Sequence, residues 1–210
     1  MNLTEVPAEA LNPDKRESKG QTRKRQIIEV ATRMLARNGA RGTTLSDIAA
    51  EAGVSQAAVV YHFGTKDELL NAVLDNRDRF EDAQLWRAGP DPGLEIFDII
   101  AGIVRSWNSH PEIVGLLAVL LAENVGGDGP LRSRLQGNYQ LTVDRIGATL
   151  EAAQARGDMR ADVDPRRKAI EILAFVSGLE LAWLITPDLP AAATATAWAK
   201  EQRQSLARPA

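Results

Sequence analysis

No cysteine occurs in the 210 residues, which excludes disulfides and thiolate metal sites and leaves the redox compartment unconstrained. Histidine is nearly as scarce. His62 and His110 stand far apart, and neither a glycine-rich phosphate loop nor a cluster with metal-ligand spacing is present. The chain therefore reads as not an enzyme, with no cofactor and no metal. Aromatic residues make up only 5 % of a composition that is 44 % apolar, a balance that suits packed helices and offers nothing β-rich. No apolar N-terminal segment follows a basic start. The longest apolar run, 170–185, is interrupted by Glu171 and Glu180 and is too short to cross a bilayer. The expectation is a cytoplasmic protein with no membrane partner.

Positive charge is also lacking overall, at a net −3, yet its distribution is uneven. From Lys15 to Lys66 ten Lys and Arg face four acids, a local +6, while the rest of the chain carries 15 basic and 24 acidic residues, a net −9. One end is suited to meet phosphate and the remainder to repel it.

The basic end contains the stretch TLSDIAAEAGVSQAAVVYHFGTK, residues 44–66. Helical spacing puts Ile48 and Ala49 on one face of a short helix. Gly53 then permits a tight turn through positive φ, and Ser55 caps a second helix with Val59 inside. Ala49 is small where the second helix crosses, and Val54 plugs the core under the turn. This is a helix-turn-helix pattern, and such a unit inserts its second helix into a DNA major groove. Gln56, Ala57, Val60 and Tyr61 would then face the bases. An ordinary helical hairpin is the plainer reading of the spacing alone.

The run 22–74 resembles the DNA-binding domain of the tetracycline-repressor (TetR) family. The resemblance rests on Gly39, Thr43-Thr44, Ile48-Ala49, Ala52-Gly53-Val54-Ser55, Tyr61-His62-Phe63, Lys66 and Glu68-Leu69-Leu70. It implies an all-α protein: an N-terminal three-helix DNA-binding domain over 21–68 and a helical ligand-binding and dimerisation domain over 69–210, while residues 1–20, which mix Pro, Glu, Asn, Ser and Lys without periodicity, are expected to form a disordered basic arm. It also implies double-stranded DNA contacts from Thr44, Ser46, Ser55, Gln56, Ala57, Val60, Tyr61, His62 and Lys66. The chain departs from the family at Ala58, where Thr or Ser is common, and at Val60, where Tyr is common. Gln56 can bond adenine in bidentate fashion and the small apolar residues can meet a thymine methyl, which favours an A/T-containing half-site.

Periodicity predicts helix 1 over 22–38, stopped by Gly39. Thr44 with Asp47 and Thr65 with Glu68 read as capping boxes opening helices 2 and 4. The Gly89–Gly93 segment breaks the chain, after which helices are expected over 94–107, from Pro111, over 130–156, over 165–186 and over 191–206. The stretch 173–185 is apolar on every face except at Ser177 and Glu180, so it needs two partners. The last two helices are therefore assigned to a homodimer interface, anchored by Phe175, Leu179, Trp183 and Trp198, as in the resembling family. A pocket for a small-molecule effector, largely apolar, is expected from Phe97, Trp107, Leu120, Glu123, Tyr139, Val143 and Glu180. The two carboxylates in apolar surroundings need partners: an internal Arg, water, a second subunit or a cationic ligand.

These readings converge on a homodimeric regulator that represses from a palindromic operator and is released by a small molecule. The alternative is a DNA-bound scaffold of the same fold that recruits a protein without an inducer. A dry second domain and a large exposed apolar patch would favour the scaffold.

Overall fold

The computed structural model describes residues 19–86, 89, 91–126 and 130–208. Among these residues the chain forms nine α-helices, and the only extended pairing is a single bridge between Met159 and Ala207. The expected arm over 1–20, with Lys15 and Arg16, lies outside the described residues except for Lys19 and Gly20. Those two already belong to the first helix, α1 (Lys19–Asn38), which starts three residues earlier than periodicity predicts.

α2 (Leu45–Glu51) and α3 (Gln56–Phe63) follow, and α4 (Lys66–Leu85) continues from them. Each opens on the cap the sequence predicts. The Thr44 hydroxyl accepts from the Asp47 amide while the Asp47 carboxylate accepts from the Thr44 amide, and Thr65 and Glu68 repeat the exchange. The Ser55 hydroxyl accepts from the Ala58 amide. Gly53 turns the chain at φ +64° and Gly39 ends α1 at φ +72°.

α5 (Ile96–Ser106) lies between two short 3-10 turns, Gly93–Glu95 and Trp107–Ser109, so the predicted helix over 94–107 is frayed at both ends. α6 (Pro111–Asn124), α7 (Pro130–Ala155), α8 (Pro165–Ile185) and α9 (Ala191–Leu206) complete the fold. Proline at the first position suits the openings of α6 and α8, and the Asp164 carboxylate caps α8 by accepting from the Arg167 amide.

Two cores organise these helices. The first gathers Ile27, Ala31 and Leu35 of α1, Ile48 and Ala49 of α2, Val59 of α3 and Leu69, Val73 and Leu74 of α4. It is closed from the far side by Leu116 and Leu120 of α6 and Leu135 of α7. The second is built from α5, α7, α8 and α9 around Phe97, Ile146, Leu150 and Ile172. α6 is apolar nearly all round because two of its faces turn inward: one seals the first core against α1, and another lines a cavity. The polar stretch late in α4 faces α7, where Arg134 reaches Asp75 at 2.8 Å and Asp78 at 3.0 Å and Arg145 pairs with Asp82.

Candidate nucleic-acid interface and effector cavity

α3 keeps Val59 and Phe63 inward and leaves Gln56, Ala57, Val60 and Tyr61 outward, with Tyr61 85 % exposed. His62 is half-buried, edge-on to Tyr61 at 5.3 Å and tilted over Phe63. Thr44, Ser46 and Ser55 are exposed. The hydroxyl of Thr44 is already committed: it donates to Asp47 at 2.6 Å, and these bonds hold the Asp47 carboxyl below its ordinary range. A phosphate at Thr44 would compete for that proton.

Lys66 has a role the sequence did not disclose. Its ammonium donates to the Ala40 carbonyl, so one of its hydrogen bonds fixes the loop before α2. Thr43, fully buried, donates to the Gly39 carbonyl at 2.8 Å across the same loop. The other side of the loop is held from the second half of the chain. The Glu123 carboxylate near the end of α6 accepts from the Ala40 amide at 2.6 Å and the Arg41 amide at 3.2 Å, while the Arg41 guanidinium donates to the Glu123 carbonyl at 3.0 Å. A Cβ on Gly39 would fall 2.1 Å from that carboxylate, so glycine is needed there for space as well as for its positive φ.

A cavity of about 390 Å³ lies between α4, α5, α6, α7 and α8. Ile100, Ile103, Leu117, Leu121, Leu173 and Val176 supply apolar walls, and its size falls in the range of drug-sized sites. Arg77, Glu81, Tyr139 and Glu180 bring polar atoms to it. Arg77 is only 6 % exposed; its guanidinium pairs with Glu81 and Asp78, while its Nε is buried with no partner. Burial pushes the Glu81 carboxyl upward, against the opposing charge of Arg77. Burial pushes Glu180 up to about 7, again opposed by Arg77 and reinforced by Glu81.

Of the seven residues expected to line a pocket, Tyr139 and Glu180 border this cavity and five do not. Phe97 and Val143 are buried in the second core, and Trp107 packs on Trp183 beside a smaller neighbouring cavity. Leu120 turns the opposite way, into the first core against α1. Glu123 finds its partners in the backbone of the 40–41 loop. The residues expected to anchor a dimer interface divide in their exposure within the single chain. Leu179 and Trp183 are buried in the chain's own second core, and Phe175 and Trp198 are half-buried and stack on each other at 4.2 Å. The outward stripe of α8 is instead Ile170, Ala174, Gly178, Leu181 and Ile185, of which Leu181 is 55 % and Ile185 74 % exposed. Large rings pack inward because they bury the most area, and small residues remain where a second helix can approach.

Comparison with known proteins agrees with this geometry. Residues 27–73 match the family described as bacterial regulatory proteins, tetR family, and residues 121–208 match the C-terminal region of BetI-type transcriptional repressors. The chain is 31 % identical over 170 residues to the HTH-type transcriptional regulator TtgR of Pseudomonas putida, covering 78 % of this chain and 80 % of that protein. A TetR transcriptional regulator from Chloroflexus aurantiacus superposes with a TM-score of 0.78 at 24 % identity, over 91 % of this chain and 99 % of that one. SmeT in complex with triclosan superposes with a TM-score of 0.76 at 21 % identity, over 90 % and 93 % of the two chains; SmeT is the repressor of a Stenotrophomonas maltophilia multidrug efflux pump.

Proposed function

Since the chain belongs to the TetR family of transcriptional regulators, we propose that it works as a homodimeric repressor, released from a palindromic operator when a small molecule fills its cavity. The observation that carries this reading is the sharing of helices. α4 supplies Leu69, Leu70, Val73 and Leu74 to the core under α3, and Arg77, Glu81 and Leu85 to the cavity wall. α6 supplies Leu117 and Leu121 to the cavity, and Leu116, Leu120 and Glu123 to α1 and the loop before α2. A ligand that spreads the cavity moves both helices, and with them the platform on which α3 is held.

In the dimer, the Ile170–Ala174–Gly178–Leu181–Ile185 stripe of α8 would pack with α9 against the same surface of a second copy. A two-fold axis there would present two α3 helices to successive major grooves about 34–36 Å apart. Gln56 would read base edges, Ala57, Val60 and Tyr61 would flank it, and the basic α1 and Lys66 would lie near phosphates. Release follows if the liganded dimer holds its two α3 helices at a spacing that no longer fits; the size of the effect is bounded by the ligand's preference for that state. A cavity of about 390 Å³ counts against the scaffold alternative, which calls for a filled second domain.

The experiment that tests this reading is selection of bound fragments from host genomic DNA by the purified protein at near-physiological salt, followed by footprinting. A palindrome with half-sites about one helical turn apart is expected. Recovery of nothing above salt-sensitive, sequence-independent binding would overturn it.

A further inference from the structure

Resting on the effector reading above, we propose that the cavity selects an amphiphilic organic cation, a protonated amine whose charge meets Glu180 while its hydrocarbon body lies on the apolar walls. The other carboxylate that lines the cavity, Glu81, is already matched. Arg77 pairs with Glu81 and Asp78, and Asp78 also receives Arg134 at 3.0 Å and Asn138 at 3.2 Å. Arg132 donates to the Asn124 carbonyl at 3.3 Å from an exposed position. Glu180 alone receives no hydrogen bond or ion pair among the described residues, and only the charges of Arg77 and Glu81 act on it. It borders the main cavity and also a small adjoining one, so its carboxyl is the group a ligand charge can approach.

A carboxyl desolvated without a counter-ion favours its neutral form, which agrees with its ionisation being pushed up to about 7. A bound cation reverses that preference and supplies the missing charge. A neutral ligand gains only an ordinary hydrogen bond, and an anion placed at Glu180 meets its carboxyl beside an Arg77 whose charge Glu81 and Asp78 already engage. Discrimination between a protonated amine and a neutral molecule of the same shape should therefore be about tenfold or more.

The titratable and charged groups that line the two cavities with Glu180 are Arg77 and Glu81 from α4, His110 from the turn before α6, and Tyr139 and Arg132 from α7, and of these Arg77 and Glu81 act on its charge. Only Glu180 loses its role in the variant Glu180→Gln, which keeps the shape of the side chain.

The test uses 4,4-diphenylbutylamine, protonated throughout the range used, and its neutral counterpart 4,4-diphenylbutan-1-ol. Both are titrated calorimetrically into the full chain and into Glu180→Gln between pH 5.5 and 8. At pH 8 the amine should bind the native chain about tenfold or more tighter than the alcohol, and Glu180→Gln should abolish the preference while leaving alcohol binding unchanged. The native preference should shrink as pH falls through about 7, because the carboxyl must ionise to meet the cation, and the variant should lack that slope. Equal binding of amine and alcohol, no binding of the amine, or a preference that survives Glu180→Gln would each overturn the proposal. Operator release is measured separately with both probes. If both bind equally and both release DNA, cation selection fails and the effector reading stands; if the amine binds selectively without releasing DNA, the effector reading fails and cation selection stands.

Discussion

Replacing Glu123 by Ala removes one carboxylate from α6 and leaves the Ala40 and Arg41 amides without their acceptor. Hydrogen bonds to charged groups contribute about 1.5–3 kcal/mol each. The Arg41 amide is exposed and its bond is long at 3.2 Å, so water can replace it; the half-buried Ala40 amide at 2.6 Å carries most of the effect. The loss is therefore about 2 kcal/mol, local to the loop, which corresponds to about a 30-fold larger opening equilibrium. Amide hydrogen exchange reads this directly. Ala40 should exchange about 30-fold faster in Glu123→Ala and Arg41 faster by a smaller factor, with the interior of α1 unchanged. Glu123→Gln, which retains one acceptor oxygen, should fall between. Because the same residue joins α6 to the loop before α2, any operator release caused by a cavity ligand should also weaken in Glu123→Ala. Native exchange rates at both amides, or a uniform rise across the whole chain, would refute the argument.

Gly39→Ala forces both a φ of +72° and a Cβ 2.1 Å from the Glu123 carboxylate; it should lower stability by more than the roughly 1 kcal/mol of backbone strain alone, and the excess should vanish in a Glu123→Ala background, as measured by urea denaturation. Gln56→Ala should weaken binding at one or two base pairs by about 1–3 kcal/mol, whereas Lys66→Ala should weaken all operator variants alike and also loosen the Ala40 loop; competition binding across single-base variants separates the two. Glu180 ionises at about 7 in the folded chain, above its unfolded value, so the folded state binds the extra proton and its stability falls as pH rises from about 4.5 to 7. Glu180→Gln should consequently raise the melting temperature at pH 8 and change it little at pH 4.5. Leu181→Arg, on the outward stripe of α8, should yield a monomer by light scattering and lose cooperative occupation of paired half-sites.

What the sequence disclosed was local. The capping boxes at Thr44 and Thr65, the Ser55 cap, the turns at Gly39 and Gly53 and the openings at Pro111 and Pro165 depend on neighbours within four residues, and all are present. The choice between core and cavity was not local. Phe97, Trp107, Leu120 and Val143 look like pocket walls in sequence, yet helix rotation within the packed bundle decides which face meets empty space. Glu123 and Glu180 carry the same signal, a carboxylate in an apolar helix. One finds its partners some 82 and 83 positions back along the chain, and the other finds none. The same limit holds along α8: aromatic and branched bulk marks what the chain buries in its own core, as at Leu179 and Trp183, whereas the open stripe includes the small residues Ala174 and Gly178, which periodicity does not rank highly.

The central claim is that filling the cavity is felt at α3. Its most direct test is equilibrium anisotropy of a labelled operator, recovered by the genomic selection, titrated with the protein at increasing concentrations of a molecule that calorimetry shows to occupy the cavity. The account predicts a fall in operator affinity that saturates as the cavity fills, and an equal loss of ligand affinity when operator is present, since the coupling is reciprocal. Operator affinity unchanged at saturating ligand would contradict it.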